Sequence, residues 1–111
     1  RGLGDVYKRQ DLDQSSWEKQ IFSDKKAIVL DVRTPEEFEN SRIPNSKNID
    51  FYNPQNFMLE IEKLDKDNNY YVYCRTGVRS ANSCALMKEL GFKNTFNLIG
   101  GIVEWKGKLN N

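Results

Sequence analysis

The stretch NYYVYCRTGVRSANSCALMKELGF, residues 69–92, contains the pattern that decides the fold. Its first six residues form an apolar run rich in aromatic side chains, which is typical of a buried strand. The residues from Arg79 onward are typical of a helix that ends at Gly91. The predicted inward positions of that helix are Ala81, Cys84, Ala85 and Met87 or Lys88. A buried strand, a short loop and a helix together predict a βα unit.

The same alternation continues on both sides of this stretch. Three further runs are typical of strands: AIVLDV (27–32), KNIDF (47–51) and NTFNLI (94–99). Four segments are typical of helices: SSWEKQIF (15–22) with Ser15 or Ser16 as cap, TPEEFENS (34–41) with Thr34 as cap and Pro35 in first position, NFMLEIEKL (56–64), and a short GGIVEWKGK (100–108). Alternating strands and helices predict a single α/β domain whose parallel sheet is covered on both faces.

The first ten residues, RGLGDVYKRQ, resemble a translated sequencing-library adapter. We therefore exclude residues 1–10 from the fold, expect them to be disordered, and assign the domain to residues 11–111. The whole chain has a net charge of +1, and residues 1–10 hold three basic side chains and one acidic one. Without them the net charge is −1, so no excess of one sign predicts a nucleic acid or a membrane as partner.

Composition sets further limits on the class of protein. A chain of 111 residues with 38% hydrophobic side chains suits one globular domain, and no apolar run approaches the roughly 18 residues of a membrane span. Two cysteines are too few for a disulfide framework, which favours a reducing compartment and a cytoplasmic location. The periplasm is the alternative, because residues 1–10 stand in the place of the natural N-terminus. Without histidine or metal-ligand spacing, we expect no metal or organic cofactor.

Cys74 is the candidate nucleophile because it follows the predicted buried strand and precedes a helix, where parallel sheets place their sites. Arg75 and Arg79 bring permanent positive charge, Gly77 permits a tight turn, and the helix N-terminus favours an anion. These features favour a thiolate. An ordinary buried cysteine is the alternative, but it does not explain the two arginines. Cys84 falls on the apolar helix face and is interpreted as a core residue without a disulfide to Cys74.

The absence of histidine narrows the chemistry that a thiolate could perform here. Peptide and ester hydrolysis usually need a base that supplies and returns protons, so a cysteine protease is disfavoured. Transfer of a sulfane sulfur or of a phosphoryl group remains open, since both pass a compact anionic group through a thiolate.

Three stretches resemble the rhodanese homology family: LDVRTPEEFENSRIPNSKNI (30–49), VYCRTGVRS (72–80) and NLIGGIVEW (97–105). They occur in the family's order and cover most of residues 27–105. The resemblance implies a five-stranded parallel sheet flanked by helices. It also implies a thiosulfate sulfurtransferase that carries a persulfide on Cys74. The implied partners are a small anionic sulfur donor such as thiosulfate, and cyanide, a thiol or a protein as acceptor.

The resemblance also implies roles for individual residues. Backbone N–H groups of the loop would hold the persulfide sulfur, from Arg75 through Thr76, Gly77, Val78 and Arg79 to Ser80. Arg75 would face the donor, and Arg79 would close the loop and add positive potential. Residues that would support the site are Asp31 and Arg33, interpreted as a structural ion pair, and Gly100, Gly101 and Trp105, which would pack the chain end under the loop.

One departure and two alternatives stay open. Glu37 stands where some two-domain members of the family carry a substrate-binding arginine, so either thiosulfate binds more weakly here or Glu37 is a plain first-turn helix charge. A phosphatase or arsenate reductase uses a related loop, but the tyrosine-phosphatase type has Cys-x5-Arg, whereas Cys74 and Arg79 are spaced Cys-x4-Arg. A non-catalytic binding or sulfur-carrier module on the same scaffold is the second alternative.

Overall fold

Residues 10–111 are described by the computed structural model of the protein. The expected disorder of residues 1–9 lies outside the described residues, whereas Gln10 already belongs to a strand. The strands are β1 (Gln10–Leu12), β2 (Ala27–Asp31), β3 (Ser46–Asn48), β4 (Asn69–Tyr73) and β5 (Asn94–Leu98). The helices are α1 (Gln14–Ser23), α2 (Pro35–Asn40), α3 (Pro54–Glu62) and α4 (Val78–Glu89), followed by a 3₁₀ turn (Ile102–Glu104).

The five strands form one parallel sheet in the order β1-β5-β4-β2-β3. The expected α/β class and five-stranded parallel sheet are therefore confirmed. The middle strand is β4, so Cys74, the residue that follows it, emerges at the centre of the sheet's carboxyl edge. The edge strand β1 pairs Gln10 with Phe96 and Leu12 with Leu98. No pattern in the sequence predicted this strand, because it is only three residues long and overlaps the excluded segment.

Alternation along β4 sends its side chains into two separate cores. Tyr70, Val72 and Cys74 lie in one core together with residues of α3 and α4, whereas Tyr71 and Tyr73 lie in the other. Trp17 of α1 is fully buried in that second core. The sheet is thus covered on both faces, as the near-continuous apolar runs of the strands predict.

Several boundaries differ from the predicted ones, and local hydrogen bonds or turns set those that follow. Asp13, rather than Ser15 or Ser16, caps α1 and accepts a hydrogen bond from the Ser16 N–H. The helix predicted at 56–64 begins at Pro54, since Asn53 caps it. The strand predicted at 47–51 ends at Asn48, because Asp50 starts a turn in which its carboxylate accepts from the Tyr52 N–H. The segment 100–108 forms only the 3₁₀ turn.

The inward face of α4 is rotated from the predicted one. Cys84 and Met87 are buried as expected, but Ala85 is exposed and Ala81 and Lys88 are half-buried. The buried stripe also contains Ser80 and Ser83, whose hydroxyl groups form hydrogen bonds. Two serines are therefore buried in place of the predicted Ala81 and Ala85, since internal hydrogen bonds offset the cost of burying a hydroxyl. Among residues 10–111, no helix is long and apolar enough to cross a membrane.

Candidate active site

The Cys74 sulfur lies beneath the loop that joins β4 to α4. The residue is 1% exposed, and its Sγ atom accepts a hydrogen bond from the Gly77 N–H at 3.1 Å. The Ser80 Oγ atom lies 3.3 Å from the same sulfur. Gly77 has φ +105°, a conformation that L side chains rarely adopt, and as N-cap of α4 it has no side chain to accept from the first-turn N–H groups. The loop therefore places a backbone donor and a hydroxyl group around one sulfur atom.

Asn97, near the end of β5, connects the two groups that contact this sulfur. Its Oδ1 atom lies 2.5 Å from the Ser80 Oγ, and its Nδ2 atom donates to the carbonyl of Gly77 at 3.4 Å. The same Nδ2 atom donates to the carboxylate of Asp11 at 3.1 Å. Asn97 is 4% exposed, so its amide is satisfied almost entirely by protein groups. Sequence reasoning missed Asn97, although a polar residue within a buried strand was a usable signal.

Arg75 in the loop and Arg79 in the first turn of α4 lie in different surroundings. Arg75 and Thr76 are exposed, and Val78 is 65% exposed. Arg79 points to α2, where its guanidinium donates to both carboxylate oxygens of Glu37 at 2.8 and 3.1 Å. The Arg79 guanidinium also lies 4.7 Å from the ring centre of Tyr52. The positive potential expected of Arg79 is therefore offset by a carboxylate, and Arg75 remains the exposed positive charge beside the nucleophile.

Glu37 combines two tasks in the first turn of α2. Its Oε1 atom accepts from the Thr34 N–H while the Thr34 hydroxyl accepts from the Glu37 N–H, which is a capping box. The hydrogen bonds from Arg79 lower the pKa of Glu37 from 4.5 to about 2. The same contact raises the pKa of Arg79, with a smaller Coulombic contribution from Cys74. Glu37 is thus both the first-turn charge that the sequence indicated and a tether for the loop.

The 3₁₀ turn holds the start of the loop through its backbone. The Ile102 N–H donates to the carbonyl of Cys74 at 2.9 Å, and the Val103 N–H donates to that of Arg75 at 3.2 Å. Gly101, with φ +61°, packs so closely on these carbonyls that a Cβ atom would overlap them. Gly100 also has a positive φ. Trp105 lies instead against Trp17, with ring centroids 5.7 Å apart, so the contact with the loop comes from Gly101.

Asp31 and Arg33 form a buried ion pair behind the site. Their shortest contact joins Arg33 Nη2 to Asp31 Oδ2 at 2.6 Å, and the two residues are 5% exposed or less. Arg33 Nη2 also donates to the carbonyl of Ser41, which follows α2. The pair therefore connects the end of β2 with the end of α2, and neither side chain contacts the Cys74 sulfur.

The remaining candidates separate into those near the sulfur and those away from it. Cys84 is fully buried in the core of α3 and α4, and no disulfide joins it to Cys74. Within residues 10–111, no group of three or more His, Cys, Asp or Glu side chains is arranged to hold a metal ion. The structure thus brings Cys74, Gly77 and Ser80 into contact, leaves Arg75 exposed beside them, and turns Arg79 towards Glu37.

Comparison with known proteins gives one consistent result. The sequence profile of the rhodanese-like domain matches residues 14–108. The Bacillus subtilis protein named "Putative sulfurtransferase YtwF" is 34% identical over 99 residues, which cover 89% of this chain and 92% of that protein. A protein named "Sulfurtransferase" from Allochromatium vinosum is 28% identical over 86% of each chain.

Solved structures agree with the sequence comparison. A rhodanese-related protein from Thermoplasma volcanium superimposes with a TM-score of 0.77 at 29% identity, over 91% of this chain and 97% of that one. A rhodanese-like domain protein from Staphylococcus aureus has a TM-score of 0.76 at 26% identity, over 89% and 93% of the two chains. With its sheet order, its loop between β4 and α4 and these matches over most of its length, the chain belongs to the rhodanese-like domain family.

Proposed function

We propose that this protein is a sulfurtransferase that carries a sulfane sulfur as a persulfide on Cys74. Membership of the rhodanese-like family supports sulfur transfer as the class of activity. The observation that supports a persulfide on Cys74 is the position of its sulfur under the segment from Cys74 to Arg79, with the Gly77 N–H donating to it at 3.1 Å. A backbone donor at this distance stabilises negative charge on sulfur without any side-chain base.

The reaction proceeds in two steps that need no proton transfer. In the first, the Cys74 thiolate attacks the outer sulfur of thiosulfate, a new S–S bond forms, and the old S–S bond breaks with its electron pair leaving on sulfite. In the second, a nucleophilic acceptor such as cyanide attacks the outer sulfur of the persulfide, and the Cys74 thiolate leaves. Because both leaving groups are stable anions, the chain needs no histidine as general base.

Charge at the loop surface suits a small anionic donor. Arg75 is exposed and adjacent to Cys74, so it is placed to attract thiosulfate to a thiolate that would otherwise repel it. The first-turn N–H groups of α4 lie at the positive end of the helix dipole and have no N-cap side chain to accept from them. These groups, from Val78 to Ser80, are the proposed cradle for the outer sulfur. A small thiol or a protein acceptor in a reducing cytoplasm would replace cyanide in the second step.

The intact mass of the protein after treatment with thiosulfate tests the proposal. We expect a gain of one sulfur atom per chain, located on the peptide that contains Cys74, and its loss on addition of cyanide with release of thiocyanate. Cys84→Ser is the matched control and should gain the sulfur, whereas Cys74→Ser should not. If the wild-type protein gains no sulfur from any anionic donor but still binds a partner, the binding-module alternative is favoured. Rapid hydrolysis of an aryl phosphate by the unmodified protein would favour the phosphatase alternative.

A further inference from the structure

The hydroxyl group of Ser80 lies between two acceptors and has only one proton to donate. Its Oγ atom is 2.5 Å from the Asn97 Oδ1 and 3.3 Å from the Cys74 Sγ. The amide of Asn97 is oriented by its other end, where Nδ2 donates to the Asp11 carboxylate and to the Gly77 carbonyl. The oxygen of the amide must therefore face Ser80. Asn97 and Cys74 compete for the same hydrogen bond.

The charge on Cys74 decides which acceptor receives this proton. When Cys74 is a neutral thiol, Ser80 donates to Asn97, and the thiol S–H is free to donate to the Ser80 oxygen. Every hydrogen bond in the series from Cys74 through Ser80 and Asn97 to Asp11 is then satisfied. When Cys74 is a thiolate, its charge attracts the Ser80 proton, because hydrogen bonds to ionised acceptors are the stronger ones. The Asn97 oxygen, which is buried, then loses its donor, and this loss has a cost.

We infer that Asn97 is a positioning residue that sets how readily Cys74 ionises, by competing with the sulfur for the Ser80 proton. The inference rests on the proposed function, since it concerns the thiolate that would accept the sulfane sulfur. In the persulfide the charge lies mainly on the outer sulfur, so the Ser80 proton returns to Asn97. The edge strand β1 takes part through Asp11, which fixes the orientation of the amide.

Charged groups lie on the elements around the site, and Arg79 has a Coulombic interaction with Cys74. They are Asp11 on β1, Asp31 at the end of β2 with its partner Arg33, Glu37 on α2, Arg75 in the loop, Arg79 on α4 and Glu104 in the 3₁₀ turn. None of these charged residues is substituted in the variants below, and among the contacts described for them only the hydrogen bond from Asn97 to Asp11 is lost. Differences among the variants therefore report on Ser80 and Asn97.

The test is the pH profile of Cys74 alkylation by iodoacetamide, measured by peptide mass spectrometry on the full chain. Ser80→Ala removes a donor to the thiolate, so its midpoint should rise by about 0.5–1 pH unit. Asn97→Ala removes the competitor, so its midpoint should fall by a similar amount. Asn94→Ala is the matched control, because Asn94 lies on the same strand and its side chain donates to Asn69 instead. Its profile should match that of the wild type.

Opposite signs separate this inference from a structural role, since a merely loosened loop would move both variants in the same direction. In the double variant Ser80→Ala/Asn97→Ala the midpoint should equal that of Ser80→Ala, because Asn97 acts through Ser80. If Asn97→Ala does not fold, Asn97→Leu keeps the volume without an acceptor and should show the same downward shift. An unchanged or raised midpoint in the folded Asn97 variant would overturn the inference. Alkylation needs no sulfur donor, so the profile stays informative even if the wild type forms no persulfide.

Discussion

At the scale of single residues, the candidate site within residues 10–111 contains one sulfur, two hydrogen-bond donors to it and one exposed arginine beside it. Gly77 and Ser80 contact the Cys74 sulfur, and Arg75 lies at the surface beside it. The second arginine, Arg79 in the first turn of α4, is bound to Glu37. In the proposed function, recognition of the donor and stabilisation of the sulfur belong to different groups, a side-chain charge for the first and mainly backbone for the second. Substitutions should separate the two.

The first prediction concerns the two cysteines. Cys74→Ser should abolish sulfur transfer from thiosulfate to cyanide, whereas Cys84→Ser should retain most of the turnover. Cys84 is buried in the apolar core, so a serine there should lower the free energy of unfolding by about 1–2 kcal/mol. Steady-state thiocyanate production and urea unfolding measure both effects. Turnover at the wild-type level in the Cys74 variant would contradict the mechanism.

The second prediction concerns Arg75 and the attraction of the donor. Arg75→Ala should raise the KM for thiosulfate several-fold, which corresponds to about 1–2 kcal/mol in kcat/KM. Discharge of the pre-formed persulfide to cyanide should change little, because backbone donors remain in place. The effect should shrink at high salt, since exposed charges are screened over about 10 Å at 0.1 M ionic strength.

Lys93→Ala is the control for Arg75. It removes an exposed positive charge just before β5, at the amino ends of the strands and away from Cys74, which follows the carboxyl end of β4. It should leave the KM for thiosulfate unchanged at both salt concentrations. Equal losses in both half-reactions of Arg75→Ala, without any dependence on salt, would show that Arg75 shapes the loop instead of attracting the donor.

At the scale of secondary structure elements, the loop is held from two sides. The 3₁₀ turn binds its first two carbonyls, and α2 binds Arg79 in the first turn of α4, just after the loop, through Glu37. Both contacts are long-range in sequence, and both are made by elements whose own ends are fixed by turns or caps. The geometry of the loop therefore depends on α2 and on the chain end as much as on its own residues.

The third prediction concerns the pH dependence of the tether between α2 and the loop. The pKa of Glu37 is about 2 in the folded protein and has an ordinary value of 4.5. A lowered folded-state pKa stabilises the protein above pH 4.5, and this stabilisation is lost as the pH falls from about 4.5 to about 2. Glu37→Gln keeps the acceptor of the capping box but removes the charge, so we expect it to cost about 1 kcal/mol at pH 7 and less at pH 3.

Urea unfolding of the wild type and of Glu37→Gln at pH 7, 5 and 3 measures the cost of the substitution at each pH. Glu36→Gln is the matched control, because Glu36 is an exposed carboxylate in the same first turn of α2. Its substitution removes the same charge near the helix N-terminus without touching Arg79. Equal costs for the two variants at pH 7 would mean that the Glu37–Arg79 pair contributes nothing beyond the helix dipole.

At the scale of the whole molecule, one parallel sheet separates two cores and carries the site on its central strand. The edge strand β1 is attached to this frame by its pairing with β5 and by the bond between the Ile99 N–H and the Leu12 carbonyl at 2.9 Å. Through Asp11 it also reaches Asn97 and hence the site. A three-residue strand at the edge of the sheet is thus connected by hydrogen bonds to the residues around Cys74.

The fourth prediction concerns this edge. Deletion of residues 1–9 should leave stability and sulfur transfer unchanged, since the sequence of this segment resembles an adapter and not part of the domain. Deletion of residues 1–12 removes β1 and Asp11, and we expect a loss of about 2 kcal/mol in the free energy of unfolding from the missing backbone hydrogen bonds. Urea unfolding measures the stability of the two truncated proteins, and thiocyanate production measures their sulfur transfer. Identical behaviour of the two truncated proteins would contradict the role given to β1.

Local patterns were sufficient for the elements whose signals lie within the element itself. The apolar runs predicted β2, β4 and β5, and Thr34 with Pro35 predicted the start of α2. The patterns were insufficient where contacts with residues outside the element determine a cap or the burial of a side chain. Asp13 replaces Ser15 or Ser16 as the cap of α1 because cap choice depends on the path of the chain entering the helix. Ser80 and Ser83 are buried but were not among the predicted inward positions, since their hydrogen-bond partners are not evident from helical periodicity.

The sequence by itself determined the class of fold, the family and the candidate nucleophile, because strand and helix periodicity and the Cys-x4-Arg spacing are properties of consecutive residues. Only the tertiary structure decided which charges remain available at the site. Arg75 and Arg79 carry the same charge in the sequence. In the structure, Glu37 of α2 binds Arg79 of α4, although the two residues are 42 positions apart. Likewise, Asn97 and Asp11 are 86 positions apart and meet only because β5 and β1 pair in the sheet. Hydrogen bonds and ion pairs depend on distance in space, and that distance is set by packing of the whole sheet.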